Sequence, residues 1–243
     1  MTTGPSLSII IPAYREAANI VGTLSHVTAA LSGTGIDAEI LVIDDGSTDE
    51  TAALVRANMP RFPGVQLLVN ERNMGFGWTY RRGVEAATGA FIVMVHGDDA
   101  WGSDTLADLF RQCGKADIVV GYTRDMWRSR TFSRTVASKT FTLLVNVITR
   151  RRLKYYNGLQ IHRADILKSI RIQSTGFGFQ AEVLVKALRR TRTVIEVPMA
   201  LTERTAGESK AFRWKNIQDV TRTLWGLCRL EWGGRGEDAD VRS

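Results

Sequence analysis

The sequence predicts an α/β protein built on a mostly parallel sheet with helices on both faces. Three observations predict it. Short β-rich apolar runs alternate with segments of helical period from Leu7 onward. The run Phe91 to Val95 is unbroken in apolar character, as a strand covered on both faces requires. Aromatic, glycine and aspartate residues follow the ends of these runs, which is where open α/β sheets gather their ligands.

Leu7 to Ile11 is the first strand, and Pro12, which has no amide hydrogen for a ladder, is expected to end it. Ile20, Leu24, Val27 and Leu31 recur at helical spacing, so a helix follows and stops at Gly33 to Gly35. Glu39 to Ile43 is the second strand. Ser47 and Glu50 then have the spacing of a capping box, which would start a helix through Leu54 and Val55. Val65 to Val69 is the third strand. A helix from about Phe76 to Ala87 is expected to close at Gly89 as a left-handed cap, before the fourth strand, Phe91 to Val95. Alternation of this regularity implies a parallel sheet.

After a fifth strand, Ile118 to Gly121, the pattern changes. A basic, aromatic-containing segment leads to a helix from Ser133 to Val147 and the strand-like Leu159 to His162. Gln180 to Arg190 reads as a helix with Val183, Leu184 and Leu188 inward, and Thr193 to Val197 as a strand closed by Pro198. Lys215 to Trp232 is amphipathic, its stripe formed by Ile217, Val220, Leu224, Leu227 and Cys228, and is read as packing on the domain. Residues 1–232 are taken as one domain. Gly233 to Ser243, glycine-rich and then acidic, is read as a disordered tail.

The 243 residues, 44% hydrophobic and 23% charged, suffice for one large core. Cys113 and Cys228 stand far apart outside any CxxC pair, which argues against a disulfide framework or a cysteine zinc site and fits a reducing cytosol. No basic region precedes a signal-like apolar run, and no segment approaches the roughly 18 to 20 apolar residues of a membrane span. The expected protein is soluble or peripheral. A net charge of +7 favours anionic partners. The charge is concentrated: nine basic residues lie between Arg124 and Lys154 against one acid, Asp125. No DNA- or RNA-binding motif accompanies them, so nucleic acid is not among the expected partners.

The first strand runs into Pro12-Ala13-Tyr14-Arg15-Glu16 and the second into Asp44-Asp45-Gly46-Ser47-Thr48-Asp49. Carboxylates at such ends can accept hydrogen bonds from a base and from ribose hydroxyls, and Gly46 would let the backbone approach the ligand. Asp-Gly-Ser is also ordinary turn chemistry. The fourth strand ends in His96-Gly97-Asp98-Asp99. A hard ion such as Mg²⁺ takes one or two carboxylates together with substrate phosphates, which singles out Asp98; His96 beside it leaves room for Mn²⁺. His26 and His162 have no local metal-binding partner and are read as hydrogen-bonded positions.

Taken together, Pro12-x-Tyr14-x-Glu16, Asp44-Asp45-Gly46-Ser47-x-Asp49, Asn73-x-Gly75 and the acidic motif after Phe91 to Val95 resemble the family 2 glycosyltransferases of GT-A fold, over about residues 6 to 110. The resemblance implies that Pro12, Tyr14, Glu16, Asp44, Asp45 and Asp98 bind a nucleotide-sugar donor, with Asp98 and His96 at the metal. The usual Asp-x-Asp carries His96 at its first position. Residues 111–232 resemble, more loosely, the polyprenyl-phosphate branch typified by dolichol-phosphate mannose synthase. Gly121-Tyr122-Thr123-Arg124, Asn157 to Arg163, Gly178-Phe179-Gln180-x-Glu182 and, most recognisably, Glu203-Arg204-x-x-Gly207-x-Ser209-Lys210 carry that likeness. It implies that Arg204 and Lys210 close over the diphosphate and the acceptor. Lys154 and Tyr156 stand where that branch has Asp and Thr.

The expected reaction is an inverting, metal-assisted transfer of a hexose to a lipid phosphate at the inner face of a membrane. A phosphate monoester, with its second pKa of about 6, is already ionised and needs no base. Arg124 and Arg134 would hold it, and Arg150 to Lys154 and Trp127 would meet an anionic leaflet, joined by the last helix in the alternative where it does not pack on the domain. For a saccharide hydroxyl acceptor, the alternative, Asp99 or Glu182 would be the base. Glu182 at a helix start otherwise reads as a capping or positioning group. No glycine-rich, basic nucleotide loop follows the first strand, which disfavours a nucleotidyltransferase.

Overall fold

The structure, a computed structural model, describes residues 6–124, 132–174, 176, 178–200 and 214–232; for residues 133, 134 and 214–220 it describes the backbone alone. Among the described residues, seven strands form one sheet: β1 (Leu7–Ala13), β2 (Ala38–Asp44), β3 (Val65–Val69), β4 (Phe91–Met94), β5 (Ile118–Thr123), β6 (Gln160–Arg163) and β7 (Val194–Met199), in the order β3-β2-β1-β4-β6-β5-β7. The helices are α1 (Ile20–Ser32), α2 (Thr51–Asn58), α3 (Phe76–Ala86), α4 (Ser103–Phe110), α5 (Phe132–Thr149), α6 (Ala164–Lys168), α7 (Phe179–Leu188) and α8 (Trp214–Trp232).

Strands β1 to β4 are parallel, while β6 runs antiparallel to both β4 and β5. Two reversals restore the direction, so β5, and β7 parallel to it, point the same way as β1. The carboxyl ends of β1, β2, β3, β4, β5 and β7 therefore reach one edge of the sheet, and that of β6 lies at the other.

Alternation along each strand splits the core into two layers. Ile10, Ile43, Ile92, Met94, Ile118 and Val120 face α3, α5, α7 and α8 through Tyr80, Val84, Val145, Phe179, Leu184 and Leu227. Ile9, Ile11, Val42, Val93, Val119 and Ile161 face α1, α2 and α4 through Leu24, Val27, Val55, Leu106 and Phe110. Neither α4 nor the five-residue α6 was expected. At eight and five residues they span little more than two turns and one, too short a window for a helical period to stand out, although Leu106, Ala107, Leu109 and Phe110 are all buried.

Three local expectations are corrected. Pro12 does not end β1, which continues to Ala13. Ile10 accepts from Val95 and Ala13 from Asp45, so even-numbered β1 residues face β4. Pro12 thus lacks its donor on the side where β4 has already stopped at Met94. The capping box does not form: Glu50 is the N-cap of α2 with no side-chain cap bond, and Asp49 accepts from the Thr51 amide instead, at 3.2 Å. Gly89 is no left-handed cap, since α3 ends at Ala86. A Cβ there would lie 2.7 Å from the Ser8 nitrogen, so the glycine is required by close chain approach.

Helix α8 packs on the domain as its stripe predicts. Leu227 is buried in the core with Leu224 and Cys228 against it, and Thr223 sits where any side chain at Gly178 would be.

Candidate active site

The shared sheet edge opens into a pocket of about 280 Å³. The β1 end contributes Pro12, Ala13, Tyr14 and Glu16, the β2 end Asp45, and the β4 end His96, Gly97 and Asp98; Asn73, Gly75, Phe76 and Thr79 complete the wall from the segment between β3 and α3 and from α3 itself. Residues from three strand ends that are remote in sequence are thus brought together.

The β1 loop is held by the β2 loop. Arg15 sits at φ 58°, and its amide donates to Ser47 Oγ at 3.0 Å while its guanidinium donates to Thr48 Oγ1. The Glu16 amide donates to Thr51 Oγ1 at 2.9 Å, and the Ala17 amide to Asp49 Oδ2. Ser47, Thr48 and Asp49 therefore fix the loop that presents Tyr14 and Glu16. Burial would raise the Asp49 carboxyl, but the hydrogen bonds from Thr51 and Ala17 hold it below its usual range. Glu16 itself accepts from Asn19 Nδ2 at 2.8 Å.

Asp44 and Asp45 part company. Asp44 is buried outside the pocket wall, and its Oδ2 accepts from the Ser47 amide at 3.1 Å, a turn contact. Asp45 lies in the wall, where it accepts from Asn70 Nδ2 at 2.7 Å, the Met74 amide at 2.9 Å and the Gly75 amide at 2.9 Å. Arg82 donates in turn to Asn70 Oδ1 and to the Val69 carbonyl. This network ties Asp45 to α3 and fixes the loop carrying Asn73 and Gly75. Gly46, at φ 68°, admits the Arg72 backbone, which a Cβ would approach to 2.5 Å.

The two β4-loop aspartates also diverge. Asp98 lies in the pocket wall beside His96, whose ring stacks on Phe76 with centroids 5.2 Å apart and planes 5° from parallel. Asp99, at φ 54°, turns back to α1: Oδ1 is 2.7 Å from His26 Nδ1 and its amide donates to Thr23 Oγ1. The candidate base for a hydroxyl acceptor is thus held against α1. Phe76 was read from the sequence only as a helix start, and its spacing to His96 gave no signal of the stack.

Among the described residues, no group of three or more metal-capable side chains gathers. The wall is therefore not a closed protein cage. One carboxylate and one imidazole at an open pocket instead fit a divalent ion that draws the rest of its shell from a diphosphate and water. Asp98 and His96 are the residues that would hold it.

In the second half, Arg124 is exposed at the end of β5, on the pocket edge, and its amide donates to the Met199 carbonyl. The Arg134 backbone belongs to α5, and its side chain lies outside the description. Arg204, Lys210 and Trp127 lie outside the described residues, as does the expected tail, 233–243. Lys154 Nζ is 3.2 Å from the Tyr122 hydroxyl and lies over its ring. Tyr156 is fully buried and donates to Asn146 Oδ1 at 2.8 Å, a packing role.

Glu182 is buried and fully engaged. Its oxygens accept from the Gln173 amide at 2.9 Å, the Ser174 amide at 2.7 Å and Lys186 Nζ at 2.5 Å. Burial pushes the carboxyl up, and the Lys186 and Ser174 hydrogen bonds, the Lys186 charge and the Gln173 amide outweigh it, leaving the group below its ordinary value. It positions the chain entering α7. His162 is buried with Nε2 3.0 Å from Gln160 Oε1, and burial lowers its pKa to about 4.

A sequence model described as glycosyl transferase family 2 matches residues 8–184. A curated relative, the undecaprenyl-phosphate mannosyltransferase of Micrococcus luteus, is 29% identical over 245 residues, spanning 93% of this chain and 95% of that one. Among solved structures, glucosyl-3-phosphoglycerate synthase from Mycobacterium tuberculosis in complex with Mn²⁺, UDP-glucose and phosphoglyceric acid superposes with a TM-score of 0.71 at 19% identity, over 93% of this chain and 81% of that one. The same enzyme with Mg²⁺ and UDP superposes at 0.68, with 18% identity, over 93% and 80% of the two chains. The sheet order, the strand-end pocket and these likenesses agree on a GT-A fold, and the chain belongs to glycosyl transferase family 2.

Proposed function

We propose that this glycosyltransferase moves a hexose, with inversion, from a nucleoside-diphosphate sugar to the phosphate of a polyprenyl phosphate. One observation carries the choice of acceptor. Both carboxylates that would serve as a base for a hydroxyl are committed elsewhere, Asp99 to His26 and Glu182 to two amides and Lys186. A phosphate acceptor needs no base, because its oxygen is ionised near neutral pH. The name of the Micrococcus relative supports the same class of acceptor.

In this reading Asp45 and Glu16 accept hydrogen bonds from the nucleoside, and Tyr14, 41% exposed at the rim, offers a ring face to the base. The acceptor oxygen attacks the anomeric carbon in line with the leaving diphosphate. The new C–O bond forms as the old one breaks, and its electron pair leaves on the nucleoside diphosphate, with no proton to move. A bound Mg²⁺ or Mn²⁺, held at Asp98 and His96, would neutralise charge on that leaving group. Arg204 and Lys210 would add to this neutralisation, while Arg124 and Arg134 counter the repulsion between the two anions.

The acceptor's hydrocarbon chain sets the reaction at a membrane, at its inner face in this proposal. No helix among the described residues is long and apolar enough to cross one, so the chain would work peripherally. The test offers the purified protein farnesyl phosphate or soluble saccharides with a panel of nucleotide sugars. Sugar transfer to farnesyl phosphate is expected; turnover only with a hydroxyl acceptor would defeat the proposal.

A further inference from the structure

Helix α5 leaves five large apolar side chains in the open: Phe132 (73% exposed), Val136 (41%), Leu143 (62%), Leu144 (43%) and Val147 (61%). At about 100° per residue they fall within one sector of roughly 120°, along about 22 Å of helix. The opposite face is spent on the core, where Thr135, Phe141, Val145 and Ile148 are buried. Soluble surfaces seldom carry five large apolar side chains on one helix face without a use for them.

The charges around the stripe say what the use is. Lys139 lies exposed at its edge, and Arg150, Arg151 and Arg152 are exposed just past its end. No acidic residue occurs from Phe132 to Lys154. Apposing two such faces from two copies would bring cations together with no carboxylate from this stretch to offset them. A leaflet of anionic lipids accepts the apolar side chains between its acyl chains and the cations at its headgroups. We infer that the outward face of α5 is a docking surface for an anionic lipid bilayer, on which the helix lies flat.

The sequence pointed to Arg150 to Lys154, Trp127 and the last helix for such a surface; α5, which ends just before Arg150, was not among them. This docking surface rests on the proposed lipid acceptor in one respect. Strand β5 ends at Thr123 on the sheet edge that carries the pocket and α5 begins at Phe132, and a lipid acceptor bound at that edge would give the helix a membrane to lie on.

The test is co-sedimentation of the full chain with vesicles of phosphatidylglycerol and phosphatidylcholine, alongside the double variant Leu143→Glu, Val147→Glu. Wild type should bind and weaken with salt, and the double variant should bind at least about tenfold more weakly. Its melting temperature and its transfer to farnesyl phosphate should match wild type, because both positions are solvent-exposed and outside the pocket. Arg150→Gln with Arg152→Gln should lower binding to anionic vesicles and leave the residual binding to neutral ones unchanged. Equal vesicle binding by wild type and the Glu variant would overturn the proposal. So would loss of a dimer in the Glu variant by analytical ultracentrifugation, which would make the face a contact between copies. Vesicle binding by a wild type that does not glycosylate farnesyl phosphate would sink the acceptor reading and leave the docking surface standing.

Discussion

Asp99 Oδ1 lies 2.7 Å from His26 Nδ1, which ties the second carboxylate of the β4 loop to helix α1 while its neighbour Asp98 lines the pocket. Two adjacent, chemically identical residues thus have separate tasks. Asp98→Asn is expected to lower transfer by at least about a hundredfold and to abolish metal-dependent binding of nucleoside diphosphate, at little cost in melting temperature. Asp99→Asn, whose side chain tolerates the left-handed backbone, should cost about tenfold or less. Steady-state kinetics and Mn²⁺ titration of the two proteins check the contrast; equal losses would refute it.

Gly22 on α1 has no place in the pocket wall, yet a Cβ there would stand 2.5 Å from Asp99 Oδ2. Gly22→Ala must displace the Asp99 carboxylate and with it the loop that carries Asp98. Although alanine favours a helix, activity should fall about tenfold or more, with weaker metal-dependent nucleotide binding. A variant that gains stability and keeps full activity would show that the β4 loop does not depend on this contact.

Asp45 is the hub of the donor wall, and truncating it strands the Met74 and Gly75 amides and the Asn70 side chain. Asp45→Ala should destabilise the fold by about 3 kcal/mol, the upper end of the usual cost of an unpaired buried donor, and remove nucleotide binding. Asp44→Ala should leave nucleotide binding within a few-fold of wild type once folded protein is compared. Calorimetry and thermal shift with nucleoside diphosphates separate the two.

Glu182 gives a pH signature of the opposite kind from a catalytic base. Its folded-state pKa lies below the ordinary 4.5, so its carboxylate stabilises the fold above that value, and the contribution is lost as pH falls through the lowered one. Glu182→Gln should melt earlier at neutral pH and lose less further stability on acidification than wild type. Its kcat against pH should keep the wild-type shape. A missing alkaline-side plateau in the variant would reinstate Glu182 as a base.

How much of this was legible in the sequence depended on whether the signal was periodic or three-dimensional. Every strand was located, because β-branched runs bounded by turn residues are local features, and the pocket wall followed because parallel strands deliver their ends to one edge. The antiparallel β6 is set by how α5 and the following segment return to the sheet, which no residue pattern encodes. What holds Asp44, Asp45 and Asp99 in place was likewise hidden. It depends on Ser47, Asn70 and His26, whose reach to these carboxylates exists only in the fold. The sequence marked a helix from Ser133 to Val147 without showing which of its apolar residues face outward, because exposure is not written in hydrophobicity.

The most direct test of the central claim is phosphorus NMR of a complete reaction of the purified chain, nucleotide sugar, divalent ion and polyprenyl phosphate. The account predicts that the lipid phosphate monoester resonance converts to a phosphodiester resonance in step with release of the nucleoside diphosphate. Release of nucleoside diphosphate with the monoester resonance unchanged would contradict it.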